Sequence, residues 1–283
     1  MHLTVQTTWG HLVAWYLFLA GAGAGLYMIA VGLKLWRGQH PFVNFAYYAS
    51  PLLVTAGTIF LLFDLGQPLR AVLAIMRPHS SMISIGTLIL SLFMMLTFWQ
   101  AYLTWQGKNP SKNLDYAGLA LAAATAAYTG LLLGVVKAIP FWNNPLLPIL
   151  FLVSALSSGL GLMLLFAGMK RSSDQVSGEV FENLFRLDAS LVTTEAVFLI
   201  CWLLVALQGN AAASAGALIL LTGFFAIPFW LFVAGAGVAA PLTLKLTGKI
   251  RTQQGVLLCG ACLVVGALAL RYGVVMAGVW IPL

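Results

Sequence analysis

The chain has 283 residues, of which 61% are hydrophobic and 7% charged, with a mean hydropathy of +0.97. A soluble domain carries about 25% charged residues, so this composition excludes an ordinary soluble enzyme and belongs to a polytopic membrane protein. Net charge is +7, but the basic excess lies between apolar segments, where it sets orientation rather than affinity for nucleic acid.

A hydrocarbon core ~30 Å thick takes about 20 apolar residues per helix. That rule predicts eight spans, approximately 9–35, 44–65, 81–106, 114–137, 145–169, 183–208, 213–244 and 254–279, in one all-α integral membrane domain covering residues 1–283. No basic region precedes the first apolar run and no small-residue cleavage site interrupts it, so no signal peptide is expected. In span one, AGAGAGLY (20–27) sets Gly21 and Gly25 in GxxxG spacing, and span seven contains GAG (235–237); small faces of this kind usually mean tight helix contact.

Span two ends on FDLGQPLR (63–70). This places Asp64, one of seven acidic residues, at the mouth of an apolar helix that Gly66 and Pro68 then stop, with Arg70 beyond. The next piece, RAVLAIMRP, is short and amphipathic and is expected to lie along the surface. In span four, ALAAATAAYTG surrounds Tyr128 with small neighbours, which either let helices approach closely or leave room for a ligand beside the ring. Span six carries Asp188 and Glu195, seven residues apart and so on one helix face, about 10 Å apart along the axis. Arg271 lies well inside span eight.

Lys and Arg accumulate on the cytoplasmic side of membrane proteins. Connections after the odd-numbered spans hold Lys34, Arg37, Lys108, Lys112, Lys170, Arg171, Arg186, Lys245, Lys249 and Arg251. The other side holds Arg70, Arg77 and Lys137. Both termini are therefore expected outside. The same count puts His11, Asp64, Arg70, Arg77, His79 and Lys137 near the outer surface. Tyr128 comes with them, about 13 Å deeper than Lys137.

An ionisable group in hydrocarbon costs roughly 2.5–3.5 kcal/mol on insertion scales, which makes each one a functional candidate. Bland readings stand beside these. His11, Arg77 and His79 each fit interfacial residues with their tips among headgroups, and Asp64 with Arg70 fits a helix-terminus pair. Asp188 fits an interfacial acid paired with Arg186 or a lipid headgroup, and Tyr128 fits plain packing. Glu195 is the hardest to read as packing.

Cys201, Cys259 and Cys262 lie in apolar segments and do not form the set of about four thiolates that a cluster or structural zinc needs. The four histidines are His2, His11, His40 and His79. His2 and His40 are near opposite membrane surfaces, so at most His11 and His79 could pair; both are near the outer surface and fit interfacial residues better, and no haem is expected.

Taken together, WGHLVAWYLFLAGAGAGLY (9–27), FDLGQPLR (63–70), RPHSSMISIGTLIL (77–90), YTGLLLGVVKAIPFWNNPLLPILFLVSALSSG (128–159) and LRYGVVMAG (270–278) resemble the membrane-subunit family of polysulfide reductase and formate-dependent nitrite reductase, over nearly the whole chain. The resemblance implies an eight-helix quinol-interacting anchor in a prokaryotic cytoplasmic membrane, with no haem or iron–sulfur cluster of its own. It exchanges electrons between menaquinol and a ferredoxin-like [4Fe–4S] partner on the periplasmic face, which feeds a molybdopterin or multihaem catalytic subunit.

Residue by residue, the resemblance places Tyr128 and His11 at the quinone headgroup, Asp64 close to the same site, and Arg70 as a stabiliser of the Asp64 end. Glu195 and Asp188 fall where family members carry span-six acids. With Arg271 they are candidates for a proton relay. The residue types agree with this, because quinol oxidation needs partners for two ring oxygens and a titratable route to water. The short outer connections and the PFWNN segment are the expected docking surface. Two rival readings are a stand-alone proton-coupled transporter using Glu195, Asp188 and Arg271, and a structural anchor without quinone chemistry. Broken spans at matching positions in two halves would favour the transporter.

Overall fold

The structure is a computed structural model, and it describes residues 4–38, 40–64, 82–170, 178–248 and 252–280, with side chains at all of these except 41, 178–183 and 185. Eight helices in it are long and apolar enough to cross a membrane, in agreement with the predicted number of spans. They belong to α1 (His11–Arg37), α2 (Pro41–Asp64), α3 (Met82–Trp105), α4 (Lys112–Gly134), α5 (Leu146–Lys170), α6 (Gly178–Leu207), α8 (Ala226–Leu246) and α9 (Gln253–Met276). A further short helix, α7 (Ala211–Leu221), lies between α6 and α8.

Local chemistry marks the helix ends. Ser111, Asn210 and Thr252 accept from the backbone N–H three residues on, at Leu114, Ala213 and Gly255, and so cap α4, α7 and α9. Gly38, with φ of 91°, closes α1 by returning its N–H to the Lys34 carbonyl.

The chain reads as one span over 213–244, but the structure breaks that stretch in two. Thr222 and Gly223 both return their N–H groups to the Leu218 carbonyl at 2.9 Å, which ends α7 after 11 residues, too short to cross a bilayer. Pro228, which has no N–H to give, sits in the first turn of α8, and Trp230 Nε1 covers the Leu221 carbonyl at 3.0 Å. From Phe229 to Ala239 α8 is wound as a π-helix. Its Gly237 lies against Gly266 of α9, where an added Cβ would come within 3.1 Å of backbone.

Helix α1 is the centre of the bundle. Of its most apolar window 83% is buried, against 17% for α8. It packs on α2, α4, α5 and α9. The closest of these contacts is with α5: a Cβ on Gly25 would lie 1.7 Å from the Ala155 carbonyl oxygen, and one on Gly159 would lie 2.2 Å from Gly25. Backbone touches backbone there, as the GxxxG spacing predicts.

Both chain ends meet on one side. Thr4–Val5 (β1) pairs antiparallel with Val279–Trp280 (β2). Gln6 ties the join by donating from Nε2 to the Trp9 and Val275 carbonyls, each at 2.9 Å. An even number of spans requires this placement, and the pairing shows it.

The α1–α5 contact makes a direct prediction. Gly25→Val overpacks a backbone contact and is expected to destabilise by about 3 kcal/mol, the upper end for overpacking. Gly32→Ala meets nothing within 4 Å and is expected to be near neutral. Thermal unfolding of the two variants in detergent checks the difference.

Candidate functional site

The structure brings two of the predicted outer residues, Tyr128 and Asp64, into one cavity of about 130 Å³, whose wall also includes Trp9, Val13, Thr87 and Leu132. Asp64, the last residue of α2, stands exposed at its mouth. Tyr128 is buried and lies flat on α3, where a Cβ on Gly86 would come 1.7 Å from its ring. Gly86 thus makes the room that small neighbours on α4 alone do not. Beside Tyr128 is Tyr16 of α1, fully buried, whose hydroxyl has no protein partner. Sequence reasoning missed Tyr16; its one signal is a tyrosine a turn below the helix start, in WYLF.

His11 goes elsewhere. It is two residues from Val13, about 200° around the helix, and so faces away from the Tyr128 cavity. Its Nδ1 is 2.6 Å from the Tyr272 hydroxyl and the two rings stack at 5.5 Å. Tyr272 also lines a second, larger cavity of about 350 Å³, walled by Trp15, Phe225, Phe229 and Leu268 and almost wholly apolar. Arg70, Arg77, His79 and the RAVLAIMRP piece lie outside the described residues.

The PFWNN segment does not present its rings for docking. Phe141 and Trp142 are fully buried, and Trp142 Nε1 donates to the Val274 carbonyl at 2.7 Å. Lys137, Asn143 and Pro145 remain exposed.

Deep in the bundle the structure sets Glu195 near Arg271, with no direct salt bridge between the two. Arg271 is 0% exposed. Its Nη1 donates to Ser154 Oγ at 3.0 Å and to the Ala267 carbonyl, its Nη2 donates to the Phe151 carbonyl at 3.1 Å, and the guanidinium lies over the Phe151 ring. Glu195 of α6 faces Ser154 and Ser157 and supplies the nearby countercharge. Gly21 holds the pocket open, since a Cβ there would lie 2.7 Å from Nη2. One half of the GxxxG pair is therefore about helix contact and the other about seating a cation.

Asp188, two turns nearer the start of α6, does not join this pair. It is buried, accepts from Cys259 Sγ at 3.8 Å, and faces Lys245 rather than Arg186, while its Oδ1 has no protein partner. Among the described residues no group of three or more His, Cys, Asp or Glu is placed to hold a metal ion.

Comparison with known proteins agrees with this architecture. The profile of the family described as "Polysulphide reductase, NrfD" matches residues 2–282. The chain belongs to that family. It is 33% identical to a polysulfide reductase chain of Wolinella succinogenes, over 95% of this chain and 94% of that protein. It is 31% identical to protein NrfD of Escherichia coli, again over 95% and 94%. A selenate reductase subunit of Mesobacillus selenatarsenatis matches at 25% identity over 63% of this chain and 53% of its own length. This NrfD-family chain is a multi-pass membrane subunit of an oxidoreductase.

The deep pair yields a double-variant prediction. Arg271→Met leaves Glu195 buried without its countercharge and is expected to cost about 3–5 kcal/mol. Adding Glu195→Leu removes the orphaned acid and should recover most of that loss. Thermal unfolding of the single and double variants measures the coupling.

Proposed function

We propose that this subunit exchanges electrons between menaquinol and an iron–sulfur partner subunit at the Tyr128–Asp64 cavity, serving a molybdopterin-type or multihaem catalytic subunit. On this reading that cavity, both termini and the partner lie on the outer face of a prokaryotic cytoplasmic membrane, and the Lys and Arg distribution supports the outer placement of the cavity and the termini. The names of the relatives, a polysulfide reductase chain and a selenate reductase subunit, support a multisubunit reductase as the setting.

The observation that carries the reading is the pairing in one cavity of a buried phenol with a carboxylate that reaches the surface. A bound quinol brings two electrons and two protons that leave together on oxidation. The residues fit such a guest. Tyr128 offers a hydroxyl that donates to or accepts from a ring oxygen, and the buried Tyr16 hydroxyl lacks a partner beside it. Trp9, Val13, Leu90 and Leu132 give the apolar walls that hold a ring and exclude water. Asp64 stands where a proton passes from the cavity to the surface. The second pair, His11 with Tyr272, offers a titratable group on the far side of α1. Asp188 lies toward the inner end of α6, with Glu195 and Arg271 between it and the outer face, and we assign them to proton transfer across the bundle.

In the purified complex, Tyr128→Phe is expected to lower kcat/KM for a soluble menaquinol analogue roughly 10²-fold, the lower range for a positioned proton-transfer group. Organic extraction should recover bound quinone from the wild type. A complex that retains no quinone, together with a Tyr128→Phe variant of wild-type turnover, would leave the chain a structural anchor. Glu195→Gln should change the number of protons moved per electron pair in vesicles; an unchanged ratio returns that acid to a structural role.

A further inference from the structure

At the end of the bundle opposite the termini, a cleft opens between α1 and α6. Both helices pack on α5 but make little contact with each other, and the gap between them is a cavity of about 560 Å³, larger than either cavity described above. Met28, Gly32 and Trp36 line it from α1, each one turn beyond the last, and Arg186 and Ser190 line it from α6. The other glycines in this half of α1 and before it are pressed by neighbours: Gly21 by Arg271, Gly23 by Val54 and Gly25 by Ala155. A Cβ on Gly32 would meet nothing within 4 Å. Gly32 therefore serves no helix contact, and its bare backbone deepens the groove.

The rim of the cleft is cationic and its depth apolar. Ser190 gives its hydroxyl proton to the Leu187 carbonyl at 2.9 Å, which leaves the exposed Arg186 as the strong donor on the α6 wall. Asp188, two residues on, turns away to Cys259. Across the cleft Trp36 is exposed, and the Arg37 guanidinium lies over its ring at 4.7 Å. Lys34 faces the other side of α1. It bonds there to the fully buried Asp115 of α4 at 2.5 Å, in a cluster with Tyr47 of α2 and Gln100 of α3 that the Tyr27 hydroxyl joins. Among the described residues no Asp or Glu lines the cleft. From Trp36 the groove runs to Met28, about 12 Å along α1 into the hydrocarbon.

We propose that this cleft is a binding site for one anionic phospholipid, with the phosphodiester at Arg186, in the field of Arg37, and an acyl chain along Met28, Gly32 and Leu33. A basic pocket between helices at a membrane face suits an anionic headgroup, and an exposed tryptophan belongs at headgroup level. The cleft matches both halves of such a molecule, a cation at the rim and an apolar channel below it. A quinone brings no charge for Arg186 to meet. A zwitterionic lipid carries its own ammonium beside the phosphate, so it gains less from the same rim. The bound lipid covers a stretch of α1 that no helix covers and joins α1 to α6 where the two barely touch. The inference is independent of the quinol reading.

The test is native mass spectrometry of the complete complex, stripped of lipid in detergent and titrated with phosphatidylglycerol or with phosphatidylcholine of the same chains. Lipids bound elsewhere cancel when variant and wild type are compared. Wild type should bind phosphatidylglycerol the more tightly. Arg186→Gln should weaken phosphatidylglycerol roughly fivefold, equal to about 1 kcal/mol, and leave phosphatidylcholine nearly unchanged, while Arg186→Lys keeps the charge and should bind like wild type. Gly32→Leu fills the groove and should remove the bound lipid, with thermal unfolding in lipid-free detergent close to wild type. Equal affinity of wild type for the two lipids overturns the proposal, as does an Arg186→Gln variant that keeps the preference. If Arg186→Gln does not assemble, Gly32→Leu decides: undiminished phosphatidylglycerol binding, or loss of a bound quinone in place of phospholipid, overturns the site.

Discussion

The guanidinium of Arg271 organises the second half of this membrane protein. A charge with no water around it is tolerated only where neighbours answer it, and both terminal nitrogens of Arg271 find partners while its Nε has none in the protein. Here α5 answers with two carbonyl-and-hydroxyl contacts and an aromatic face, α6 with Glu195, and α1 with the absence of a side chain at Gly21. These requirements fix the relative rotation of four helices. Lipid-facing helices gain no hydrophobic energy by turning one way or another, so a buried cation that needs its partners supplies the orientation that the apolar surface cannot.

The first half has a corresponding anchor in Lys34 and Asp115, with α1 common to both. One face of α1 seats Arg271 and the backbone of α5, and another carries Tyr16, Tyr27 and Lys34 toward α2 and α4. Because the same rod positions the cavity phenols, the buried guanidinium and the far cluster, a change in its rotation would disturb all three at once. Small residues at Gly21, Gly25, Ala20 and Ala24 are what permit one helix to serve that many neighbours at short distance.

Much of this is legible in the residues alone. Length and apolarity suffice for eight spans, and the Lys and Arg count puts Asp64 and Tyr128 toward one membrane face without any geometry. What the hydropathy pattern does not encode is helical phase in space. His11 and Asp64 share a level, but two residues of α1 decide that His11 turns toward Tyr272 while Val13 turns toward Tyr128. Span seven reads as continuous because Leu, Phe and Ala on both sides of Thr222–Gly223 are equally apolar, and only the returned hydrogen bonds mark the break. Gly21 and Gly25 look alike because spacing says nothing of which neighbour arrives, a backbone or a guanidinium. Lys34 reads as an interfacial cation for the same reason: its partners come from other helices. Phe141 and Trp142 sit in a connection, and a connection reads as surface until Val274 is seen to accept from the indole.

The centrality of α1 has a consequence for how the bundle is made. Of the eight spans, the first to leave the ribosome is the one most enclosed in the finished bundle, and its last neighbour, α9, is the latest of them to be synthesised. Until then its glycine face and its start have only lipid or insertion machinery beside them. The guest that fills the seat at Gly21 is carried on that last helix, and the strand that ties down residues 4 and 5 follows it. Closure therefore waits for α9, so a chain truncated even one helix early would be left open along its own axis, with its most polar interior surfaces facing hydrocarbon.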